Sequence, residues 1–136
     1  MRLRLRGAPL FRALCHCTIR QAFNDAPRAD ICVFRDRDVI RNARETVASR
    51  VHKQPPFVRR GTCTDCGRPA METLWLPMLP RMVAIPSGSI AAGSAIRPPD
   101  FNMFYHRRQA DAEDALPKHS GFLSSQARLR WRPCAG

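Results

Sequence analysis

The stretch that decides the fold is Phe57-Val-Arg-Arg-Gly-Thr-Cys63-Thr-Asp-Cys66-Gly67-Arg-Pro69-Ala-Met71-Glu-Thr-Leu-Trp-Leu76. Its two arms, Phe57–Thr62 and Met71–Leu76, are rich in the branched, aromatic and large apolar residues that favour strands. The Cys-x-x-Cys-Gly segment between them has the composition of a tight turn. The stretch therefore predicts a β-hairpin with both cysteines at its tip and neither inside a regular helix.

Cys63 and Cys66 have the spacing of a zinc knuckle, because close cysteine pairs are how zinc sites are assembled from two loops. Gly67 allows the tight backbone turn that aims amide hydrogens at thiolate sulfurs. Metal binding is therefore favoured for this pair. A redox-active dithiol or two unligated thiols are the alternatives.

The other strand-like segments are also short: Ile31–Arg35, Met82–Ile85 and Phe101–His106. Asp36–Arg50 is the one segment with helical or mixed character. Proline and glycine turns separate most of the remaining segments. The chain is therefore predicted to be a single, mainly-β domain of small sheets built around the Cys-x-x-Cys zinc knuckle.

Length and composition limit the class of protein. The chain has 136 residues, enough for one domain, and twelve prolines oppose long helices. The most apolar run, Leu74–Pro86, is shorter than the roughly 18 residues of a membrane helix and contains Arg81. We expect a soluble, cytoplasmic protein, since residues 1–20 lack the apolar core of an export signal. Residues 1–12 are expected to form a basic N-terminal segment, 13–122 the folded domain, and 123–136 a basic, loosely ordered tail.

The formal net charge of +12 is concentrated at the two ends of the chain. Residues 1–20 and 127–136 contain eight arginines and no acid, and the middle carries 15 basic and 11 acidic residues. Nucleic-acid binding would need a continuous arginine face interleaved with aromatics. The aromatics lie mostly in apolar strands, so solvated basic ends are the favoured interpretation and nucleic acid is an unfavoured partner.

The other cysteines and the histidines differ in what they indicate. Cys15-His-Cys17 is a second close pair, although residues two apart on a strand share a face without needing a metal. His16 would then point away from both thiols, so it is expected not to be a ligand. Cys32 is expected to be a small core residue, and Cys134 to have no structural role. His106 and His119 are expected to be surface or hydrogen-bonded residues.

Several stretches match one known family in its order along the chain. They are Cys15-His-Cys17-Thr-Ile-Arg20-Gln-Ala-Phe-Asn-Asp25-Ala26-Pro27, Ile31–Phe34, Arg60–Pro69, Met82–Ile90, Phe101–Phe104 and Ala115–His119. Over roughly residues 13–122 the chain resembles the glutathione-dependent formaldehyde-activating enzyme-like proteins, which include the centromere protein V relatives. The resemblance implies a β-tent-like domain with a catalytic zinc and a structural zinc.

The resemblance also implies which residues hold metal, and it shows departures. Cys15 and Cys17 would be catalytic and bind the catalytic zinc, and Cys63 and Cys66 would bind the structural one. The third cysteine of the catalytic Cys-x-Cys-x-x-Cys motif is Arg20 here. The family's earlier Cys-x-Cys pair would precede residue 1. At most one zinc per chain is therefore expected, either in one merged four-thiolate site or not tightly held at all.

The implied reaction makes or breaks a carbon–sulfur bond between glutathione and a small aldehyde, so glutathione or its aldehyde adduct is the implied partner. Arg20 would oppose metal binding; it could instead lower the pKa of Cys15 or Cys17, or attract the glutathione carboxylates. Three interpretations stay open. The chain is a carbon–sulfur lyase relative with reduced or lost activity, a basic zinc module that binds nucleic acid non-specifically, or a truncated family remnant without function.

Overall fold

A computed structural model describes residues 5–39, 47–51, 57–90 and 96–120. It contains one short helix, α1 (Thr18–Asn24). Seven strands form a single sheet: β1 (Phe11–Cys15), β2 (Ala29–Arg35), β3 (Val47–Val51), β4 (Val58–Cys63), β5 (Pro69–Leu74), β6 (Met82–Pro86) and β7 (Phe101–Met103). The predicted mainly-β class is confirmed, although one sheet replaces the several small sheets that we expected.

The strand order is β3-β4-β5-β6-β2-β1-β7. All neighbouring strands are antiparallel except β1 and β7, which are parallel and pair Cys15 with Met103. Three strands, β5, β6 and β2, therefore lie between β4 and β1 in the sheet. This order separates the strands that end in the two cysteine pairs.

Alternate residues along the central strands build two apolar clusters, one on each face of the sheet. The first cluster takes Ile31 and Val33 from β2, and the second takes Cys32 and Phe34 from the same strand. The first cluster also contains the fully buried Phe11 and Cys15 of β1. We call these clusters the first face and the second face. Cys32 is a core residue, as predicted.

The β4–β5 hairpin is present where the sequence predicts it. Cys63 is the last residue of β4, and Cys66 lies in the turn before β5. The pairing register shifts at Gly61, where an added Cβ would collide with the Val47 side chain of β3. Glycine therefore allows β3 and β4 to approach closely at this point.

The segment Asp36–Arg50, predicted to be helical or mixed, is mixed in the part that the structure describes and contains no α-helix there. Asp36–Asp38 form a single 3-10 turn and Val47–Val51 form strand β3, while 40–46 lie outside the described residues. The helix is α1 instead, which the Cys17 side chain caps at its start and left-handed Asp25 ends. Capping chemistry and tertiary position outweigh the weak helical propensity of the later segment.

The remaining boundaries differ by a few residues. The strand predicted at Phe101–His106 stops at Met103, because Phe104 takes a left-handed conformation with φ of 50° before a 3-10 turn. At the other end, Phe11 is fully buried in β1 and Leu5 forms an isolated bridge with Val39. The sheet thus includes the last residues of the expected basic N-terminal segment. The C-terminal tail expected at 123–136 lies outside the described residues.

Within the ranges given above, no helix is long and apolar enough to cross a membrane.

Candidate functional site

Cys15 and Cys17 lie where β1 passes into α1. Cys15 ends β1 and is fully buried, whereas Cys17 is only partly buried. The Cys17 sulfur accepts a hydrogen bond from the Arg20 backbone amide at 3.4 Å, which caps the helix. His16, between them, is buried, and its Nε2 lies 2.8 Å from Oδ1 of Asn102. The loop therefore presents two thiols, while the imidazole is engaged by β7.

Arg20 is buried beside these thiols in a charged cluster. Its Nη1 donates a hydrogen bond to the Cys15 sulfur at 3.3 Å, and its Nε donates to Oε2 of Glu72 at 2.9 Å. Nη2 of Arg20 also lies 2.7 Å from the same carboxylate oxygen. Nε of Arg60 lies 3.5 Å from the other oxygen, Oε1. We call Cys15, Arg20, Arg60 and Glu72 the arginine cluster.

The arginine cluster is nearly closed to solvent, so its charges must compensate one another. The side chains of Arg20, Arg60 and Glu72 are 9%, 7% and 3% exposed. Two guanidinium groups face one carboxylate, which leaves one positive charge uncompensated. A thiolate at Cys15 removes that excess. Burial by itself lowers the pKa of Arg20. The Glu72 carboxylate and both thiols together raise that pKa by more than burial lowers it, so Arg20 stays charged.

The two thiols are coupled through a shared proton. A hydrogen bond from the Cys17 thiol lowers the pKa of Cys15 to about 6 against the opposing effect of burial, and the Arg20 charge contributes to the lowering. The same hydrogen bond, together with burial, raises the pKa of Cys17. Cys15 is thus the buried thiolate of the pair. Cys17 is its protonated, more accessible partner.

The residues around Cys15 do not fit a catalytic zinc held by three thiolates. Such a site needs three protein ligands and an open fourth position. The resemblance implies a third ligand at the position of Arg20, whose guanidinium instead donates a hydrogen bond to Cys15 and carries a positive charge beside it. A cation at the same thiolate would repel that charge.

The Cys63–Cys66 turn has the local geometry that favours thiolates. Backbone amides of Cys66 and Asp65 donate hydrogen bonds to the Cys63 sulfur and lower its pKa. Gly67, with φ of 73°, turns the chain so that its own amide donates to the Cys63 carbonyl at 2.8 Å. Cys66 is exposed. The amide donors predicted from the glycine are therefore present.

The two cysteine pairs belong to opposite faces of the sheet. Cys15 packs in the first face. Cys63 lies directly opposite Val47 in the β3–β4 register, and Val47 packs against the second face. Directly opposed residues share a face, so Cys63 is on the second face too. In the part of the chain that the structure describes, no three His, Cys, Asp or Glu side chains form a group able to hold a metal ion. Among the described residues, the two pairs are therefore not brought together into one four-thiolate group.

An open groove of about 440 Å³ runs along α1. It includes Thr18, which follows Cys17 directly, and the exposed carboxylate of Asp25. Gln21 and Gln109 line it too, and they hydrogen-bond to each other at 2.9 Å. The volume of the groove is within the size range of small-molecule sites. Thr18 places the groove next to Cys17, the less buried thiol of the pair.

Sequence reasoning missed Glu72 and the role of Arg60. Glu72 is the one charged residue of strand β5, and this pattern is itself a signal, because buried acids are rare unless they are paired. Arg60 stands out in the sequence only as part of the stretch before the knuckle. The partner of Arg20 could not be found from spacing, since Glu72 and Arg20 are 52 positions apart.

The profile of the family described as "Glutathione-dependent formaldehyde-activating enzyme" matches residues 1–107. No curated protein matches the chain at a significant level.

Proposed function

Because this chain belongs to the glutathione-dependent formaldehyde-activating enzyme family, we propose that it acts on glutathione–aldehyde adducts as a carbon–sulfur lyase of reduced activity. The observation that carries the proposal is the 3.3 Å distance between Nη1 of Arg20 and the sulfur of Cys15. This hydrogen bond keeps a thiolate at the end of β1 but puts a cation where the resemblance implies a metal ligand. Loss of a Lewis acid is the reason we expect slow turnover.

The proposed reaction balances without any additional reactant. In the direction of synthesis, the glutathione sulfur bonds to the aldehyde carbon, the carbonyl electron pair moves to oxygen, and the thiol proton ends on that oxygen. Cys17 takes up the substrate proton while its own proton passes to the Cys15 thiolate. The pair then returns one proton to the oxygen. The lyase direction reverses each of these changes.

The groove along α1 is the proposed glutathione site. The Asp25 carboxylate is exposed there and can pair with the ammonium group of glutathione. Asp25→Asn keeps the side-chain shape, and asparagine also tolerates the left-handed backbone at this position. We expect this variant to raise KM for glutathione while leaving kcat unchanged. An unchanged KM would place glutathione elsewhere.

Replacement of Arg20 tests the assignment of the catalytic loop. Arg20→Cys supplies the third thiol, and Arg20→Ala is the matched control that removes the same charge without supplying a thiol. In both variants Glu72 keeps Arg60 as its partner. We expect zinc retention and turnover to rise in Arg20→Cys only, with turnover followed by NMR exchange between labelled formaldehyde and its glutathione adduct. If the parent is fully active and Arg20→Cys changes neither quantity, this assignment of the loop is wrong.

Several arginines that a nucleic-acid site could use are engaged by other side chains of the described residues. Arg12, Arg97 and Arg108 each pair with a nearby carboxylate, and Arg20 pairs with Glu72. Arg81 lies over the Trp75 ring instead of leaving it free for base stacking. These arginines are therefore engaged within the fold.

A further inference from the structure

Cys15 combines features that make a sulfur reactive toward a small oxidant. Nη1 of Arg20 donates a hydrogen bond to this sulfur, and the thiol of Cys17 hydrogen-bonds to it as well. Glu72 holds the other side of the guanidinium. We propose that this group is a thiol peroxidase site, in which Cys15 reduces hydrogen peroxide and Cys17 then forms a disulfide with it.

The guanidinium is divided between the carboxylate and the sulfur. Nε and Nη2 of Arg20 lie 2.9 Å and 2.7 Å from Oε2 of Glu72, which leaves Nη1 at 3.3 Å from the Cys15 sulfur. The planar fork of arginine reaches both partners at once. Because Arg60 brings a second positive charge to the same buried carboxylate, a thiolate at Cys15 balances the cluster. The group therefore stabilises the nucleophilic form of this sulfur.

Two other buried thiols have different neighbours. The sulfur of Cys32 lies 3.5 Å from the Ser87 hydroxyl, and burial raises the pKa of this thiol. The sulfur of Cys63 accepts hydrogen bonds from backbone amides. Hydroxyls and amides are neutral, whereas the donor beside Cys15 carries a full charge. This charge is placed to stabilise the negative charge that moves from sulfur to oxygen when a peroxide is attacked.

The residue between the two thiols fixes them side by side. The His16 amide donates to the Met103 carbonyl at 3.0 Å, and its ring is engaged by Asn102 at 2.8 Å. The His16 carbonyl accepts a hydrogen bond from Nε2 of Gln21 at 2.6 Å. These three contacts hold the loop, so the flanking sulfurs stay within hydrogen-bond reach of each other. The second thiol is thus in place to react with an oxidised first one.

The reaction balances with hydrogen peroxide as the oxidant. The Cys15 thiolate bonds to one peroxide oxygen, the O–O bond breaks, and its electron pair goes to the leaving oxygen, which takes the Cys17 proton and becomes water. The Cys17 thiolate then attacks the sulfur of the sulfenic acid. Hydroxide leaves and takes up a proton from solvent. Two thiols are oxidised to one disulfide, peroxide is reduced to two waters, and an added dithiol restores the pair by exchange.

Burial restricts the oxidant to a small molecule. Cys15 is 0% exposed, and Cys17 beside it is partly buried. Hydrogen peroxide has only two heavy atoms, and it is the oxidant to which we assign the site. The reaction needs neither glutathione nor an aldehyde nor the α1 groove, so a failed lyase assay leaves this proposal standing.

The test compares two reagents on the reduced, metal-free chain after the reductant is removed. We expect hydrogen peroxide to oxidise Cys15 before the exposed Cys66, roughly tenfold faster, with one peroxide consumed for each Cys15–Cys17 disulfide found by peptide mass spectrometry. Iodoacetamide, a larger reagent, should modify the same two residues in the opposite order. Oxidation in the order of exposure, or a first disulfide at another pair, overturns the proposal.

Matched variants separate the roles of the second thiol and the guanidinium. In Cys17→Ser, where serine also caps a helix, dimedone should trap a sulfenic acid at Cys15. Arg20→Lys keeps the charge but loses the fork, so we expect Cys15 to be oxidised slower by roughly tenfold or more. Cys66→Ser is the control and should keep the parent rate.

The iodoacetamide rate at Cys15 distinguishes loss of the fork from loss of the fold. It should stay at the parent value in Arg20→Lys, because an opened fold would expose the sulfur and speed its alkylation. A parent rate of oxidation in Arg20→Lys, or no trapped sulfenic acid in Cys17→Ser, overturns the assignment.

Discussion

Cys15 is buried at the end of β1 and partly buried Cys17 follows it, beside a guanidinium. Cys63 is buried at the end of β4 and Cys66 lies in the exposed turn that follows, beside backbone amides. Both surroundings favour a thiolate, but they do so with different donors. A guanidinium brings a full charge that opposes a metal cation. Backbone amides bring only partial charges, and they remain compatible with metal binding. The difference teaches that the donor that stabilises a thiolate, and not the cysteine spacing, decides whether its surroundings are compatible with a metal cation.

The largest expected effect comes from removing the central carboxylate of the arginine cluster. Glu72→Gln leaves Arg20 and Arg60 buried without their shared counter-charge. Breaking a buried pair in this way costs about 3–5 kcal/mol, so we expect the free energy of unfolding in urea to fall by that order. The control is Asp111→Asn, which removes the partner of Arg108 at the surface and should have no measurable effect. Equal stability of both variants would mean that the cluster does not stabilise the fold.

The pH dependence of stability should report the shared proton of the buried pair. The pKa of Cys15 is lowered to about 6 from its ordinary value of 9.0, so the unfolded chain binds one more proton there between these values. Stability should therefore rise with pH across this window, by up to about 1.4 kcal/mol per pH unit, and the gain is lost as pH falls toward 6. Above pH 9.0 the raised pKa of Cys17 reverses the sign, because the folded chain then keeps the extra proton.

Cys15→Ser supplies the reference for that profile, since it removes the thiolate from the buried site. The difference between the parent and variant profiles should slope upward only between about pH 6 and 9. A flat difference would contradict a thiolate at Cys15. It would also leave the positive charge of the cluster unexplained.

Alkylation rates should separate the two pairs directly. Cys66 is exposed and Cys15 is fully buried, so we expect iodoacetamide to modify Cys66 faster by roughly tenfold or more in metal-free protein. Peptide mass spectrometry over time measures both rates in one sample. Zinc should protect Cys66 and leave the rates at Cys15 and Cys17 unchanged. Protection of Cys17 by zinc would instead place the metal in the site that we consider unfit for it.

The smallest effect is expected for nucleic acid. The test variant loses six arginines, so its formal charge falls from +12 to +6. It carries glutamine at Arg2, Arg4 and Arg6 and lacks residues 127–136. Any binding should weaken, and the salt slope should fall by at most about 0.9 for each phosphate that is no longer neutralised. Filter binding at several salt concentrations measures both quantities. Sequence-selective binding that survives these changes would favour the nucleic-acid interpretation.

Local chemistry made some of this structure predictable. The β4–β5 hairpin follows from strand-forming arms around a Cys-x-x-Cys-Gly turn, and all of these signals lie within a few residues of one another. Strand β3 was missed because Val47–Val51 is an edge strand with mostly exposed side chains, and it gains its structure by pairing with β4. Helix α1 was missed because its cap is a cysteine, which is not among the residues that usually start helices.

By itself, the sequence determined the two thiol pairs, the arginine at the position where the resemblance implies a third thiol, and the glycine that turns the amides toward Cys63. Only the tertiary structure decided that Glu72 neutralises Arg20 and that the two pairs lie on opposite faces of the sheet. The reason is physical. Spacing along the chain sets turns and caps, whereas the order and register of seven strands set which distant side chains meet.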